Sequence, residues 1–359
     1  MKTSHDSSEF RKHSMLVLDG ISGLDLAREI TSNSNQLGVR SIYVNLASLK
    51  AIRFYRLRSV MTKSLNKINH NDSFFYLPKN NEKNLVDIID QYQPSHILVV
   101  GFLYKYVNPI FLRKYADKHN IKLILYDTDS CNIYTKRREF IFFIAQELAQ
   151  YHYIFSFSAI MARFFKDTCQ LPALYAPYGA EAVVLPAQSS QQYDVTFIGA
   201  ADLRRIFVLE HIKDKVSIFG NRWERNELLM SSQLKSRLKG KAVWGHDLHE
   251  LLSQSKIVLN ITRSQFYGAE TGVNLRIFEA LAAGCFLITD YCDEVNQLFK
   301  VGVEIETFKS SNELKDKIHY YLSNSDKRIE IARNGHQAFL ERFTWAKRLK
   351  PILESVGLL

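Results

Sequence analysis

Arg276 and Glu279 stand three residues apart in GVNLRIFEALAAGCFLITD, residues 272 to 290. On a helix they share one side of its first turns. There a guanidinium can neutralise a phosphate while a carboxylate accepts both hydroxyls of a ribose. The same two residues would also make an ordinary surface ion pair, a common and weak feature. Thr271 to Asn274 gives the helix a polar approach, and Gly284 ends it before an apolar strand. Gly199 and Gly220 each follow an apolar strand, so backbone there can come close to a ligand. Ala200 to Arg204 then opens a helix whose free N–H groups, together with Arg204 and Arg205, form an expected pyrophosphate site.

Other chemistries are disfavoured by what the chain lacks. There is no GxGxxG, and the glycines of DGISG, residues 19 to 23, have the wrong spacing for a dinucleotide fingerprint, which argues against an NAD enzyme. Cys131, Cys169, Cys285 and Cys292 form no CxxC and sit in or beside apolar segments, so they read as reduced core thiols. His246 and His249 are three apart without a neighbouring Cys or an HExxH context, and no metal site is expected.

Strands and helices alternate throughout. MLVLDG, SIYVNL, FFYLP, HILVVG, KLILYD and YIFSF are the expected strands of the first half, with helices between them, one ending at Gly38 as a C-terminal cap. Near-continuous apolar strands separated by helices predict a parallel sheet covered on both faces. PYGAEAVVLPAQSSQQYD, 177 to 194, reads as a linker. A second alternation follows, with strands DVTFIG, VSIFG, KAVWG, KIVLNI, CFLITD and VEIETF. Asp247 with Glu250, and Ser310 with Glu313, have capping-box spacing. Two helices, 325 to 342 and 345 to 356, end the chain. The expected domains are therefore residues 1–187, residues 188–340 and a terminal crossing helix within 341–359. Two Rossmann-like domains leave a cleft suited to a two-substrate reaction.

A length of 359 residues suits two domains, and 46% hydrophobic with 23% charged residues is ordinary for globular protein. MKTSHDSSEFRKHS lacks the apolar core of a signal peptide and reads as a short tail, and no apolar stretch is long enough to span a bilayer, so a cytoplasmic location is expected. The net charge of +10 is uneven: residues 1–187 carry 23 Lys+Arg against 16 Asp+Glu, residues 188–359 carry 24 against 21. Much of the excess lies in residues 51–67, where Arg53, Arg56, Arg58, Lys63 and Lys67 interleave with Phe54, Leu57, Val60, Met61 and Leu65. That pattern fits an anionic acceptor or peripheral contact with the inner face of a membrane, or else an ordinary amphipathic helix with a solvated basic face.

From Tyr193 to about Leu353 the chain resembles the C-terminal domain of group 1 glycosyltransferases, and most closely the branch named after the spore maturation protein CgeB. The resemblance is carried by YDVTFIGA, VSIFGNRW, VWGHDLHELLSQSKIVLNIT, GVNLRIFEALAAGCFLITD and GHQAFLERFTWAKRL in that order, with LYDTDS at 125 to 130 and PYGAE at 177 to 181 in the first half. It implies a GT-B fold: an N-terminal acceptor domain, a C-terminal donor domain, parallel sheets facing the cleft, and a last helix returning to the first domain. By position it also implies that Glu279 holds the ribose. Arg204, Arg222 and Arg276 become candidates for the diphosphate, beside Gly199, Gly220 and Asn274, and the loop of Trp244, Gly245, His246 and Asp247 would border the base. Many relatives have two glutamates separated by seven residues. Here Glu270 and Glu279 are separated by eight, so Glu270 does not simply inherit the sugar-contacting role.

The implied reaction moves a sugar from a nucleotide sugar, UDP-linked or similar, to a glycan, lipid-linked, protein or small-molecule acceptor, with no metal strictly required. An inverting transfer needs a base, for which Asp127 is the candidate; a retaining one does not, and Asp127 would then cap the segment after it. The alternatives are a nucleotide-sugar epimerase or phosphorylase of the same fold, or a non-enzymatic binder of anionic membrane or nucleic acid, the latter disfavoured.

Overall fold

The computed structural model describes residues 13–21, 25–68, 74–184 and 191–359. Most of the expected N-terminal tail, the second glycine of DGISG and the Ser/Gln part of the expected linker lie outside them. The chain divides into two units, one running to Pro177 and including Leu349–Leu359, the other Tyr178–Arg348.

The first unit contains β1 (Ser14–Gly20), α1 (Leu26–Gln36), β2 (Arg40–Asn45), α2 (Tyr55–Ile68), α3 (Glu82–Tyr92), β3 (His96–Gly101), α4 (Pro109–Lys118), β4 (Lys122–Asp127), α5 (Arg137–Phe142), β5 (Tyr153–Ser156), α6 (Ala159–Arg163) and β6 (Ala173–Tyr175). The strands form one sheet in the order β2-β1-β3-β4-β5-β6, every pair parallel. Leu16, Val17, Leu18, Val99, Val100 and Leu125 are fully buried, as strands covered on both faces require. Gly38, with φ +91°, ends α1 as a glycine cap. The C-terminal segment closes on the amino edge of this sheet, where His13 Nδ1 and His96 Nε2 each lie 3.1 Å from the carbonyls of Leu358 and Val356.

The second unit contains β7 (Tyr193–Ile198), α7 (Leu203–Glu210), β8 (Val216–Phe219), α8 (Ser232–Lys235), β9 (Leu238–Gly240), α9 (Gly245–Ser253), β10 (Ser255–Asn260), α10 (Ser264–Gly268), α11 (Leu275–Ala282), β11 (Leu287–Asp290), α12 (Asp293–Leu298), β12 (Glu306–Phe308), α13 (Ser311–Ser323) and α14 (Ser325–Arg342). A last helix, α15 (Trp345–Ser355), continues from this unit into the first. The sheet order is β12-β11-β10-β7-β8-β9, again all parallel. Val195, Phe197, Ile218, Ile257, Leu259 and Ile288 form its core with α7, α13 and α14. Two parallel six-stranded sheets, each with helices, make the two-domain Rossmann-like architecture that the alternation predicts.

Four local readings change. FFYLP is not a strand: Phe74 and Tyr76 set their rings against Phe142 and Tyr104, with centroids 5.5 and 5.0 Å apart, and side-chain packing replaces the ladder. KAVWG gives way to the shorter β9 before it, because its neighbour β8 ends at Phe219, opposite Gly240, and leaves nothing beyond to pair with. Asp247 lies inside α9, whose N-cap is Trp244, so the Asp247–Glu250 capping box does not form; Ser310 does accept from the Glu313 N–H at 3.2 Å. β6, absent from the expected strands, arises just before the expected linker, because the edge of β5 offers it a parallel partner.

Candidate functional site

In the second sheet the chain winds from β7 outward through β8 to β9, and from β10 outward through β11 to β12. The central pair β7 and β10 therefore diverge at their carboxyl ends, the crevice where open α/β sheets take ligands. Its rim is made by residues 199–202, the turn from Thr262 into α10, and the start of α11.

The α11 helix starts at Asn274, whose side chain accepts the Arg276 N–H at 3.1 Å. Ile277, Phe278 and Leu281 turn inward and are buried, which leaves Arg276 and Glu279 on the other side. They form an ion pair, Nη1 to Oε2 2.9 Å, with side chains 17% and 20% exposed. The pair does not satisfy the guanidinium: Arg276 Nε and Nη1 are both buried without an aligned hydrogen-bond acceptor. Buried N–H groups of a charged side chain left so cost stability, so they mark a place where an acceptor is wanted. His249 on α9 completes this corner. Burial lowers its imidazole's pKa, the charge of Glu279 opposes that shift, and His246 and Arg276 reinforce it. Thr262, just past β10, has a buried hydroxyl that also lacks a hydrogen bond. It faces Gly272, where a Cβ would come within 3.6 Å of it and 2.8 Å of Cys292 Sγ.

At the expected pyrophosphate site, residues 200–205, the helix start and both arginines already have partners within the chain. Asp202 caps α7 itself, accepting the Arg204 N–H at 3.0 Å and the Ser264 hydroxyl at 2.7 Å, so the helix start already holds a carboxylate. Arg204 is engaged by buried Asp290, by the Thr262 carbonyl at 3.1 Å and by the Tyr267 ring at 3.7 Å. Arg205 is buried and donates to the carbonyls of Ile261 at 2.8 Å and Ala200 at 2.9 Å, and burial pulls its guanidinium down to about 9. Both arginines knit the rim together. The glycines likewise serve the chain: a Cβ on Gly220 would fall 1.9 Å from the Gly199 carbonyl oxygen, and one on Gly199 would meet Arg205 and Phe197 at 3.0 Å. Two loops crossing this closely need glycine whether or not a ligand arrives.

Arg222, Trp244 and His246 are exposed on the loops after β8 and at the start of α9. Arg222 takes a left-handed backbone, φ 67°, as does exposed Glu270, φ 55°. Arg263 was not singled out by sequence reasoning. It is exposed at the head of the turn into α10, and its charge, like that of Arg276, bears on Arg205. Its signal was positional: a cation two residues past an apolar strand, recognisable only once β10 is known to sit at the switch point.

In the first unit Asp127 is 1% exposed and lies in register with Ser156. Its Oδ1 accepts the N–H groups of Asp129 and Ser130 at 3.2 and 3.0 Å; its Oδ2 accepts the hydroxyls of Ser130 and Ser156, each at 2.7 Å. Four donors use the four lone-pair positions of a carboxylate. Burial raises its pKa, with the serine and backbone donors opposing. That geometry fits a residue holding the turn 128–132, the capping alternative, with each lone-pair position already taken. Arg53, Arg56 and Arg58 lie exposed along and before α2. Among the described residues no cluster of three or more His, Cys, Asp or Glu is arranged to hold a metal. A cavity of about 310 Å³ lined by Lys256, Cys285, Phe286, Arg328 and His336 opens at the opposite, amino edge of this sheet, away from the switch point.

Residues 204–354 match a family model described as glycosyl transferase-like. No curated protein sequence matches the chain at a significant level. Among solved structures, the chain is similar to Anabaena HepE in complex with UDP-glucose (13% identity, TM-score 0.64, covering 96% of this chain and 100% of that one). It is also similar to sucrose-phosphate synthase from Thermosynechococcus elongatus (10%, 0.65, 96% and 99%). A third likeness is to an alpha-glucosyltransferase in complex with UDP-glucose and DNA containing an abasic site (11%, 0.64, 96% and 99%). These likenesses establish the fold along nearly the whole chain, and the family match falls on the half that carries the Arg276–Glu279 corner. The chain thus has the two-domain GT-B fold, and residues 204–354 of its second half resemble a glycosyl transferase domain.

Proposed function

We propose that this protein binds a nucleoside diphosphate sugar at the carboxyl edge of β7 and β10, with Glu279 on the ribose hydroxyls and Arg276 and Arg263 on the diphosphate. One observation carries the reading: Arg276 Nε is buried without an acceptor, and Nη1 has only the unaligned carboxylate of Glu279, set one helical turn away. A diphosphate supplies those acceptors, and as leaving group it gains charge during transfer, which fixed cations in a partly buried site stabilise. Arg204 and Arg205 act through the rim they brace. Trp244, His246 and Arg222 are available to the base or the diphosphate from the neighbouring loops, and UDP-glucose is the first donor to test because similar structures hold it. Residues 188–340 are the donor domain on this reading and residues 1–187 the acceptor domain; the order of the quoted segments favours the CgeB-like branch. With all lone pairs of Asp127 used, the reading asks no proton transfer of it.

Calorimetry with UDP and UDP-glucose tests this. Glu279→Ala loses two charge-assisted hydrogen bonds and should weaken binding at least about a hundredfold. Arg263→Ala, exposed and outside the core, should cost roughly tenfold with no change in melting temperature. Unchanged affinity in Glu279→Ala protein that remains folded would overturn the site.

A further inference from the structure

The helix α2 carries its apolar residues on the wrong side. An amphipathic surface helix normally turns its apolar stripe to the core. Here no residue of Tyr55–Ile68 is buried, and the partly covered positions are Tyr55, Ser59, Thr62 and Asn66, a polar stripe at helical spacing. Asn66 ties that stripe down: its side chain donates to the Phe75 carbonyl at 2.7 Å and accepts the Phe75 N–H at 3.2 Å, and its own carbonyl takes Arg138 Nη1 at 2.7 Å. At about 100° per residue, Leu57, Val60, Met61, Ser64, Leu65 and Ile68 fall within an outward arc of roughly 140°. The five hydrophobic members are 58% to 72% exposed. Phe54, in a left-handed backbone with φ 56°, adds another exposed ring at the helix start. Arg56, Lys63 and Lys67 line one border of the arc and Arg58 the other, and no acidic residue occurs from Ala51 to Ile68.

We propose that α2 is a docking helix that lies in the interface of an anionic lipid bilayer, its apolar arc in the acyl boundary and its flanking cations at lipid phosphates. Charge complementarity selects this occupant. Nucleic acid would use the cations but gain nothing from the leucine, methionine and isoleucine between them, and a second copy would bring like charges face to face. Among the described residues no helix is long and apolar enough to cross a membrane, so this contact is peripheral.

The test is co-sedimentation of the full chain with vesicles of phosphatidylcholine mixed with phosphatidylglycerol, and with phosphatidylcholine alone. The wild type should bind the anionic vesicles, more weakly as salt rises, and leave the neutral ones. Arg56→Ser/Lys63→Ser/Lys67→Ser should bind about a hundredfold less, at about fivefold per cation. Leu57→Ser/Met61→Ser/Leu65→Ser should lose at least tenfold while keeping all its charges. Both variants change exposed positions outside the nucleotide corner, so melting temperature and UDP affinity should hold. Met61→Trp should show blue-shifted emission on anionic vesicles only. The proposal is overturned by a wild type that ignores anionic vesicles, by an apolar variant that binds them as the wild type does, or by emission of Met61→Trp that does not shift. Duplex DNA binding in place of vesicle binding, or self-association abolished by the apolar variant, would overturn it equally.

Discussion

Replacing Arg276 with methionine separates a binding site from a structural ion pair. Methionine keeps most of the aliphatic length and the helix propensity of arginine but removes the guanidinium. In the free protein that group has a buried Nε without an acceptor, and such a donor costs about 1–3 kcal/mol. Against this stands the ion pair to Glu279 at 2.9 Å, whose partners are 17% and 20% exposed. Solvent screening keeps such a pair to about 1 kcal/mol, and Glu279 can be rehydrated when its partner leaves. The fold should therefore lose no more than about 1 kcal/mol and can gain. For a unit of this size that is a shift of about 2–4 °C at most. Binding should move the other way. Two charge-assisted hydrogen bonds to a diphosphate, at about 1.5–3 kcal/mol each, amount to about a hundredfold to ten-thousandfold in affinity. Thermal melts and calorimetry with UDP and UDP-glucose measure both quantities on one preparation. A variant that melts far lower yet binds UDP unchanged would show that the pair exists for the helix, and the reasoning would fail.

Asp127 and Glu147 supply the other tests. Asp127→Asn can keep all four hydrogen bonds, since the hydroxyls of Ser130 and Ser156 can reverse and accept, so it should stay folded and retain activity within about threefold. Asp127→Ala should lose about 3 kcal/mol of stability; a hundredfold fall in kcat for the asparagine variant at unchanged melting temperature would restore the base role. Glu147 is fully buried, accepts from the N–H groups of Leu103 and Tyr104 at 2.9 and 2.7 Å, and is pushed by burial from 4.5 to about 7. Because the folded state holds its proton more tightly than the unfolded chain, its contribution is complete below about pH 4.5 and is lost as pH rises through about 7. The loss is about 3 kcal/mol at 1.36 kcal/mol per unit. Urea melts across that window should show a shallower pH slope for Glu147→Gln than for wild type, and parallel slopes would refute the assignment.

Much of this protein is legible along the chain because the signals are local. Period and apolarity mark the strands on both sides of the linker, Ser310 announces the start of α13, and Gly38 the end of α1. Arg276 and Glu279 are one helical turn apart, so their meeting follows from helix geometry alone. Where the reading changed, the deciding partner was remote in sequence. Arg204 is taken by Asp290, 86 residues on, and Asp127 by Ser156, 29 residues on. Arg263 gained its place only from the pairing of β10 with β7. On α2 the composition was readable and the orientation was not: the sequence specifies an apolar arc, but only the anchoring of Asn66 to Phe75 turns that arc outward. Helix and strand type, and pairs within one turn, were thus determined by the chain itself through short-range sterics and periodicity. Which charges are spent and which remain open was decided by tertiary structure, because a charged group's role depends on neighbours that only folding brings within hydrogen-bonding distance.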